Sequence, residues 1–115
     1  MPIRFVAQGD LPADAFSREL VGDNFGGVGA CVIFVTAAPG EGPRLHRHTY
    51  VELLIVLEGT ATFRDGTGSR IVKAGTVAIV DAGQPHAFVN SGDGPLKQID
   101  IHLSPRFVTE WLEES

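Results

Sequence analysis

The feature that most constrains the fold is a series of short apolar runs separated by turns. From residue 28 onward, runs rich in Val, Ile, Phe and Thr alternate with segments such as RDGTGS, DAGQP and NSGDGP, in which Gly, Pro and Asp are frequent. This regular spacing is typical of an antiparallel β-sandwich or β-barrel. RDGTGS is expected to form a hairpin loop. The predicted strands lie near residues 28–37, 50–57, 61–64, 70–72, 77–80, 86–90 and 96–103.

The two ends of the chain have a different pattern. The segment LPADAFSREL, residues 11–20, predicts a short helix. Near the C-terminus, Ser104 suits an N-cap and Pro105 suits the first position of a helix, and four apolar residues follow at helical spacing. We therefore expect an amphipathic α-helix over residues 105–114 that packs on the outside of the barrel.

Composition narrows the functional classes. The chain has 115 residues, of which 43% are hydrophobic and 20% charged, and this length suits one domain, residues 1–115. A net charge of −5 and nine scattered Lys and Arg residues argue against a nucleic-acid partner. No apolar run approaches the length of a membrane span or a signal peptide, and Cys31 lacks a disulfide partner. These features favour a cytoplasmic protein without a membrane partner.

Two histidines one residue apart precede the strand near residues 50–57. Because side chains alternate along an extended strand, His46, His48 and Glu52 share one face if the chain stays extended between them. His86 follows the next hairpin, where a neighbouring strand would bring it to the same centre. Three imidazoles and a carboxylate, without thiolate, suit Fe, Mn, Ni, Cu or Zn. The alternative is that these side chains are exposed polar positions of a sheet.

The spacing of these residues resembles that of the cupins. The first cupin motif, G(X)5HXH(X)3-4E(X)6G, is matched by Gly40, His46, His48, Glu52 and Gly59. The resemblance covers roughly residues 28–103, and it leaves both ends of the chain outside.

The second cupin motif, G(X)5PXG(X)2H(X)3N, is matched at Gly75, Gly83, His86 and Asn90. It departs at one position, because Asp81 stands where the family has Pro. Asp also favours turns, and the position is not that of a ligand, so the departure concerns the turn rather than the metal site.

The resemblance implies an all-β fold, a double-stranded β-helix or jelly roll. It also implies one divalent transition-metal ion per chain, held inside the barrel. Its ligands would be His46, His48, Glu52 and His86. Cupins of this size are often dimers, and segments such as VELLIVL have apolar residues on both faces, so we expect a homodimer.

Strand parity also indicates which residues would surround the metal. Residues that share the face of Glu52 or His86 are expected to line the pocket, and an inward Phe would restrict the substrate to a small or planar molecule. These residues are Tyr50, Leu54, Val56, Phe88 and Asn90. In LKQIDIHLS, polar Gln98, Asp100 and His102 alternate with apolar residues. If the polar face is inward, Gln98 joins the pocket and His102 becomes a candidate for proton transfer; if it is outward, both are solvated.

Three functional classes are compatible with this site. The first is a metal-dependent enzyme for a small oxygenated acid or ketone, by dioxygenation, isomerisation, cyclisation or decarboxylation. Four protein ligands on an octahedral ion would leave two adjacent positions for a substrate, or for a substrate and O₂. The second is a non-catalytic module that binds or senses a small molecule. A storage role is disfavoured, because seed-storage cupins have two domains.

Overall fold

The computed structural model describes residues 2–114, which form eleven β-strands and two short 3₁₀ turns. The 3₁₀ turns span Gln8–Asp10 and Gly22–Phe25. The strands are β1 (Ala13–Asp14), β2 (Ser17–Leu20), β3 (Cys31–Ala37), β4 (His46–His48), β5 (Glu52–Glu58), β6 (Thr60–Arg64), β7 (Ser69–Lys73), β8 (Val77–Val80), β9 (Ala87–Asn90), β10 (Leu96–His102) and β11 (Thr109–Trp111). Every strand predicted between residues 28 and 103 is present, with shifts of a few residues at the ends.

One wall of the barrel is a six-stranded sheet with the order β1-β2-β3-β10-β5-β8, in which neighbouring strands are antiparallel. The central strand β10 is buried at every second residue, from Leu96 to His102. Its register places His102 opposite Glu52 on one side and opposite Cys31 on the other. The sheet therefore fixes the distance between the start of β5 and the end of β10.

The other wall combines the sheet β7-β6-β9 with the pair β11-β4. A bridge between His46 and His86 joins β4 to the chain entering β9, with backbone hydrogen bonds of 3.0 and 2.8 Å. Side chains from both walls meet in one apolar core, since strand alternation turns half of each strand inward. This core contains Val35, Leu54, Val56, Ala61, Val72, Phe88 and Leu96. The result is a double-stranded β-helix.

The loop RDGTGS closes the β6–β7 hairpin, as predicted, with Arg64 opposite Ser69. The Asp65 carboxylate accepts hydrogen bonds from the backbone N–H groups of Thr67 and Gly68 at 2.9 Å. These hydrogen bonds compensate the loop N–H groups that have no strand partner.

The short helix predicted over residues 11–20 is wrong, because this segment forms the β1–β2 hairpin. Ser17 to Leu20 pair with β3, and Thr36 donates a backbone hydrogen bond to the carbonyl of Phe16. A helix of about ten residues is marginal on its own in water. The open edge of β3 offers this segment a full set of backbone partners instead.

The α-helix predicted over residues 105–114 is also wrong. Residues 104–108 have no regular structure, and β11 follows, antiparallel to β4 with Thr109 opposite His48 and Trp111 opposite His46. The strand is held by backbone pairing and by an ion pair of 2.8 Å between Arg47 and Glu110. The helix signals are local and carry no information about the edge of β4, whose unpaired backbone groups can hydrogen-bond to a strand but not to a helix.

The outer face of the six-stranded sheet is apolar and exposed. Leu57, Val77, Ile79 and Leu103 are each at least half exposed. Within residues 2–114, no helix has the length and the apolar content that are needed to cross a membrane.

Candidate metal centre

Four buried side chains converge at one end of the barrel. They are His46 and His48 from β4, Glu52 from the first position of β5, and His86 from the turn before β9, and each is at most 7% exposed. One ligand atom from each lies within 4.8 Å of the others. The structure thus brings together the four residues that the HXH spacing and the second motif single out.

The three imidazoles of this cluster share one arrangement of hydrogen bonds. In each, Nδ1 faces a backbone carbonyl oxygen, to which it donates its proton. This assignment leaves Nε2 facing the centre, and Nε2 without its proton is the atom through which such a histidine binds a metal. The pairs are His46 with Arg44 at 2.6 Å, His48 with Val108 at 2.9 Å and His86 with Gln84 at 2.9 Å.

The carboxylate of Glu52 lies among these nitrogens. Its Oε1 is 2.9 Å from Nε2 of His86 and 3.2 Å from Nε2 of His48. The His48 nitrogen is buried and has no hydrogen-bond partner. A lone pair that faces a carboxylate in a buried site requires a proton or a cation between them.

The electrostatic environments of His46, His86 and Glu52 shift their pKa values in different directions. Burial, with the neighbouring His86 and His48, lowers the pKa of His46 to about 4. For His86, burial opposes the charged form, but the contacts with Glu52 and the Gln84 carbonyl raise the pKa. For Glu52, burial likewise opposes ionisation, yet the contacts with His102, His48 and His86 lower the pKa. A proton shared by His86 and Glu52 therefore competes with any cation.

These residues fit a divalent transition metal. A cation at the centre would supply the missing partner of His48 Nε2 and would offset the buried carboxylate. Three imidazole nitrogens and one carboxylate oxygen, without thiolate, form a ligand set that suits Fe, Mn, Ni, Cu or Zn.

A cavity of about 680 Å³ opens onto the four residues. Its walls combine aromatic side chains with a few acidic groups and one guanidinium. The aromatic side chains are Phe16, Phe88, Phe107 and Trp111, and the charged residues include Asp14, Glu19, Arg44 and Asp100. Most of this wall is apolar, so a bound molecule would lose much of its contact with water.

Of the pocket residues predicted by strand parity, Leu54 and Phe88 line this cavity. Val56 and Gln98 are fully buried opposite each other in β5 and β10, outside the lining. The amide nitrogen of Asn90 donates to the backbone carbonyls of Ala37 and Gly94, at 2.9 and 2.8 Å, and so connects the end of β3 to the loop between β9 and β10.

The polar face of β10 points into the barrel, which decides the alternative left open by the sequence. His102 lies at the cavity, with Nε2 3.1 Å from Glu52 Oε2 and Nδ1 2.7 Å from the Tyr50 hydroxyl. Tyr50 contacts this histidine rather than the cavity, and its pKa is raised to about 12, mainly by burial.

Asp100 is the next inward residue of β10 and also lines the cavity. Its Oδ1 accepts a hydrogen bond of 2.7 Å from Gln98. Burial, with the nearby negative charge of Glu52, raises the pKa of Asp100 well above its ordinary value. The site therefore places a carboxyl group whose environment disfavours ionisation in the same cavity wall as the metal ligands.

Sequence reasoning missed the aromatic groups that come from the two ends of the chain. The Trp111 ring lies 5.0 Å from the His46 ring, and the Phe107 ring lies edge-on to His102, also at 5.0 Å. Phe107, Thr109 and Trp111 alternate at a period of two, which is a strand signal. The helical spacing of the same segment obscured it.

Comparison with known proteins agrees with this architecture. The cupin domain family matches residues 33–102. A conserved protein of Klebsiella pneumoniae with a double-stranded β-helix domain has a TM-score of 0.76 at 23% identity, over 98% of this chain and 100% of that one. Among proteins of curated function, none matches the sequence.

Two larger structures share the fold. An oxalate oxidase has a TM-score of 0.77 at 19% identity, and the match covers 94% of this chain and 63% of that one. A mutant of Bacillus subtilis oxalate decarboxylase has a TM-score of 0.74 at 22% identity, with 87% of this chain matched to 29% of that one. The chain thus spans less than a third of the decarboxylase. With the family match over more than half of its length, the chain belongs to the cupin family.

Proposed function

We propose that the protein is a metal-dependent enzyme that acts on a small oxygenated organic substrate. The observation that carries the proposal is the position of the four ligand residues in the wall of the cavity. A purely structural metal site is closed by its protein ligands, whereas a catalytic one keeps access for a substrate. The four residues here are buried from bulk solvent, yet all of them border a cavity large enough for a small molecule.

The chain's own residues would hold and orient the substrate. Phe16, Phe88 and Phe107 provide apolar walls that exclude water and strengthen electrostatic contacts inside the cavity. A divalent metal, when bound, supplies a Lewis acid that polarises an oxygen of the substrate. Asp100, whose raised pKa favours its protonated form, would offer a proton at the cavity surface to a basic atom of the substrate.

We propose that the reaction is one of four types that the site can support: dioxygenation, isomerisation, cyclisation or decarboxylation. The names of two structural relatives, oxalate oxidase and oxalate decarboxylase, and the Mn(II) centres of the latter, support testing Mn(II) and small carboxylic acids early. Fe(II) belongs in the same comparison, because the ligand set suits both ions.

The test begins with metal analysis of the protein from its native host, since an overexpressed protein tends to take up the more tightly bound Ni, Cu or Zn. Metal-free protein is then loaded separately with Mn(II), Fe(II), Ni(II) and Zn(II). Each form is assayed for O₂ consumption and CO₂ release with 1,2-diketones, catechols, hydroxy acids and small dicarboxylic acids. Turnover by one metal form, absent in His48→Ala, is the expected result.

A matched control separates metal loss from misfolding. Ile71→Ala changes an exposed residue of β7, a strand that pairs with β6 and supplies no ligand, and the variant should keep both metal and turnover. A His48→Ala variant with full metal content would refute the assignment of the site. Tight binding of a small molecule without turnover in any metal form would instead support a non-catalytic binding module.

A further inference from the structure

His102 is the buried histidine that the four-residue cluster leaves out. It is the last residue of β10, and its register with β5 places it directly opposite Glu52. Its Nε2 lies 3.1 Å from Oε2 of Glu52, whereas Oε1 of the same carboxylate faces His48 and His86. The two oxygens of Glu52 therefore have different partners, one of which is outside the metal-binding cluster.

The hydrogen bonds around Tyr50 fix the proton on His102. The Tyr50 oxygen accepts a hydrogen bond of 3.3 Å from the backbone N–H of Val108. His48 Nδ1, also near this oxygen, donates to the Val108 carbonyl and so has no free lone pair. The Tyr50 hydroxyl must therefore donate to Nδ1 of His102, at 2.7 Å. The proton of His102 then lies on Nε2, from which it is donated to Glu52.

We propose that Tyr50 and His102 are positioning residues that hold Glu52 as a one-oxygen metal ligand. The inference rests on the metal-binding function proposed above. With Oε2 engaged by His102, only Oε1 is aimed at the metal, and the carboxylate does not swing to chelate through both oxygens. A coordination position that a second oxygen would fill stays available to the substrate.

The packing around His102 supports a fixed orientation of its ring. The ring is 4% exposed, and Phe107 lies edge-on against it. On the side opposite Glu52, its strand partner is the buried Cys31. The chain Val108 N–H, Tyr50 O–H, His102 Nε2–H and Glu52 Oε2 thus runs from the backbone of the C-terminal segment to the ligand, with each donor matched to one acceptor.

The test uses four single variants of the full chain and the double variant Tyr50→Phe/His102→Leu, with Mn(II) as the probe. His102→Leu removes the donor to Glu52, and His102→Gln restores an N–H near the position of Nε2. Tyr50→Phe removes only the hydroxyl that selects the His102 tautomer. Cys31→Ala is the structural control, because Cys31 is buried and lies opposite the same histidine in the neighbouring strand but has no place in the chain of hydrogen bonds.

Mn(II) affinity is measured by calorimetry, and the coordination of the bound ion by its electron paramagnetic resonance spectrum. His102→Leu should weaken Mn(II) binding about 10- to 100-fold and change the spectrum, as losses of an outer hydrogen-bond partner do. His102→Gln should recover affinity to within about threefold of the parent. Tyr50→Phe should weaken binding about tenfold in the parent but have no further effect in His102→Leu, because Tyr50 acts through His102.

Several results would overturn the inference. They are an unchanged affinity and spectrum in His102→Leu, a His102→Gln variant as weak as His102→Leu, or additive effects of the Tyr50 and His102 changes. If His102→Leu does not fold, the Tyr50→Phe spectrum decides alone. Cys31→Ala should lower stability and leave the spectrum unchanged. Failure of the parent protein to bind Mn(II), Fe(II), Ni(II) or Zn(II) would refute the proposed function instead.

Discussion

Gly42 lies where the segment leading into β4 passes the backbone of β9, and replacing it with Ala tests how the site is assembled. A Cβ at this position would lie 1.9 Å from the carbonyl oxygen of Phe88 and 2.8 Å from the Cα of Val89. Both of these atoms belong to the backbone, so no side-chain rotation relieves the overlap. The two segments must move apart.

The required movement sets the magnitude. Opening the contact from 1.9 Å to even 3.0 Å separates the segments by about 1 Å (3.0 − 1.9 = 1.1 Å). The flanking backbone hydrogen bonds, Gly40 N–H to Asn90 O at 2.8 Å and Asn90 N–H to Glu41 O at 2.9 Å, would then approach 4 Å and be lost. At about 1 kcal/mol each, with a similar loss from overpacking, Gly42→Ala should lower the free energy of unfolding by about 2–4 kcal/mol.

The same displacement should reach the metal centre, because the two segments supply His46 and His86. Urea unfolding of the metal-free protein measures stability, and calorimetric titration with Mn(II) below the unfolding temperature measures affinity, which we expect to fall about 10-fold or more. Gly29→Ala is the control, since a Cβ there has no neighbour within 4 Å. A Gly42→Ala protein within about 0.5 kcal/mol of this control would refute the steric reasoning. Unchanged Mn(II) affinity in a destabilised variant would refute the coupling to the site.

Three further outcomes follow from the charges and surfaces described above. Because the pKa of His86 is raised, Mn(II) must displace its proton, and calorimetric affinity should fall about tenfold per pH unit below that pKa; a flat profile would contradict this. Asp100 has a raised pKa, so its contribution to stability is full below about 3.8 and is lost as pH rises through the folded-state pKa. The free energy of unfolding of the metal-free protein, measured with urea, should therefore fall less between pH 5 and 8 in Asp100→Asn than in the parent. Parallel curves for the two proteins would exclude a neutral Asp100. The exposed apolar face that includes Val77 and Ile79 should form a homodimer, so light scattering should give a dimer that Ile79→Glu dissociates, whereas a monomeric parent at micromolar concentration would refute it.

The strands β3 and β5 to β10 could be predicted because each is bounded by its own turn residues, and this information is local, whereas the short strand β4 was not among the predicted strands. The ends of the chain could not be predicted in the same way. A helix was predicted for residues 11–20 and, from capping and spacing signals, for residues 105–114, yet both segments lie beside open strand edges, at β3 and β4. Edge pairing depends on strands distant in sequence, and it prevails over a short helix that is marginal by itself.

The metal ligands could be predicted from a recognisable spacing, whereas the extended chain assumed between them is absent, because His48 in β4 and Glu52 in β5 belong to different sheets and a bend at residues 49–50 separates them. Parity predicts which face a side chain occupies, but not how deep along the barrel it lies. Val56 has the same parity as Glu52 and is buried, yet it lies four residues along β5, within the apolar core instead of the cavity wall. Asn90 likewise lies four residues after His86, and its side chain binds backbone carbonyls outside the cavity wall. His102, in contrast, lies at the site because the β10 register places it opposite Glu52.

The apolar core and the metal centre occupy different parts of the same strands. Apolar packing in the core can therefore offset the unfavourable burial of the polar groups at the metal centre. The core cluster includes Leu54, Val56, Ala61 and Leu96, and none of the four ligand residues belongs to it. Burial of these side chains, together with the antiparallel pairing of β5, β10 and β3, stabilises the barrel. Backbone register then holds Glu52 and the histidines close together although their charges and lone pairs oppose it.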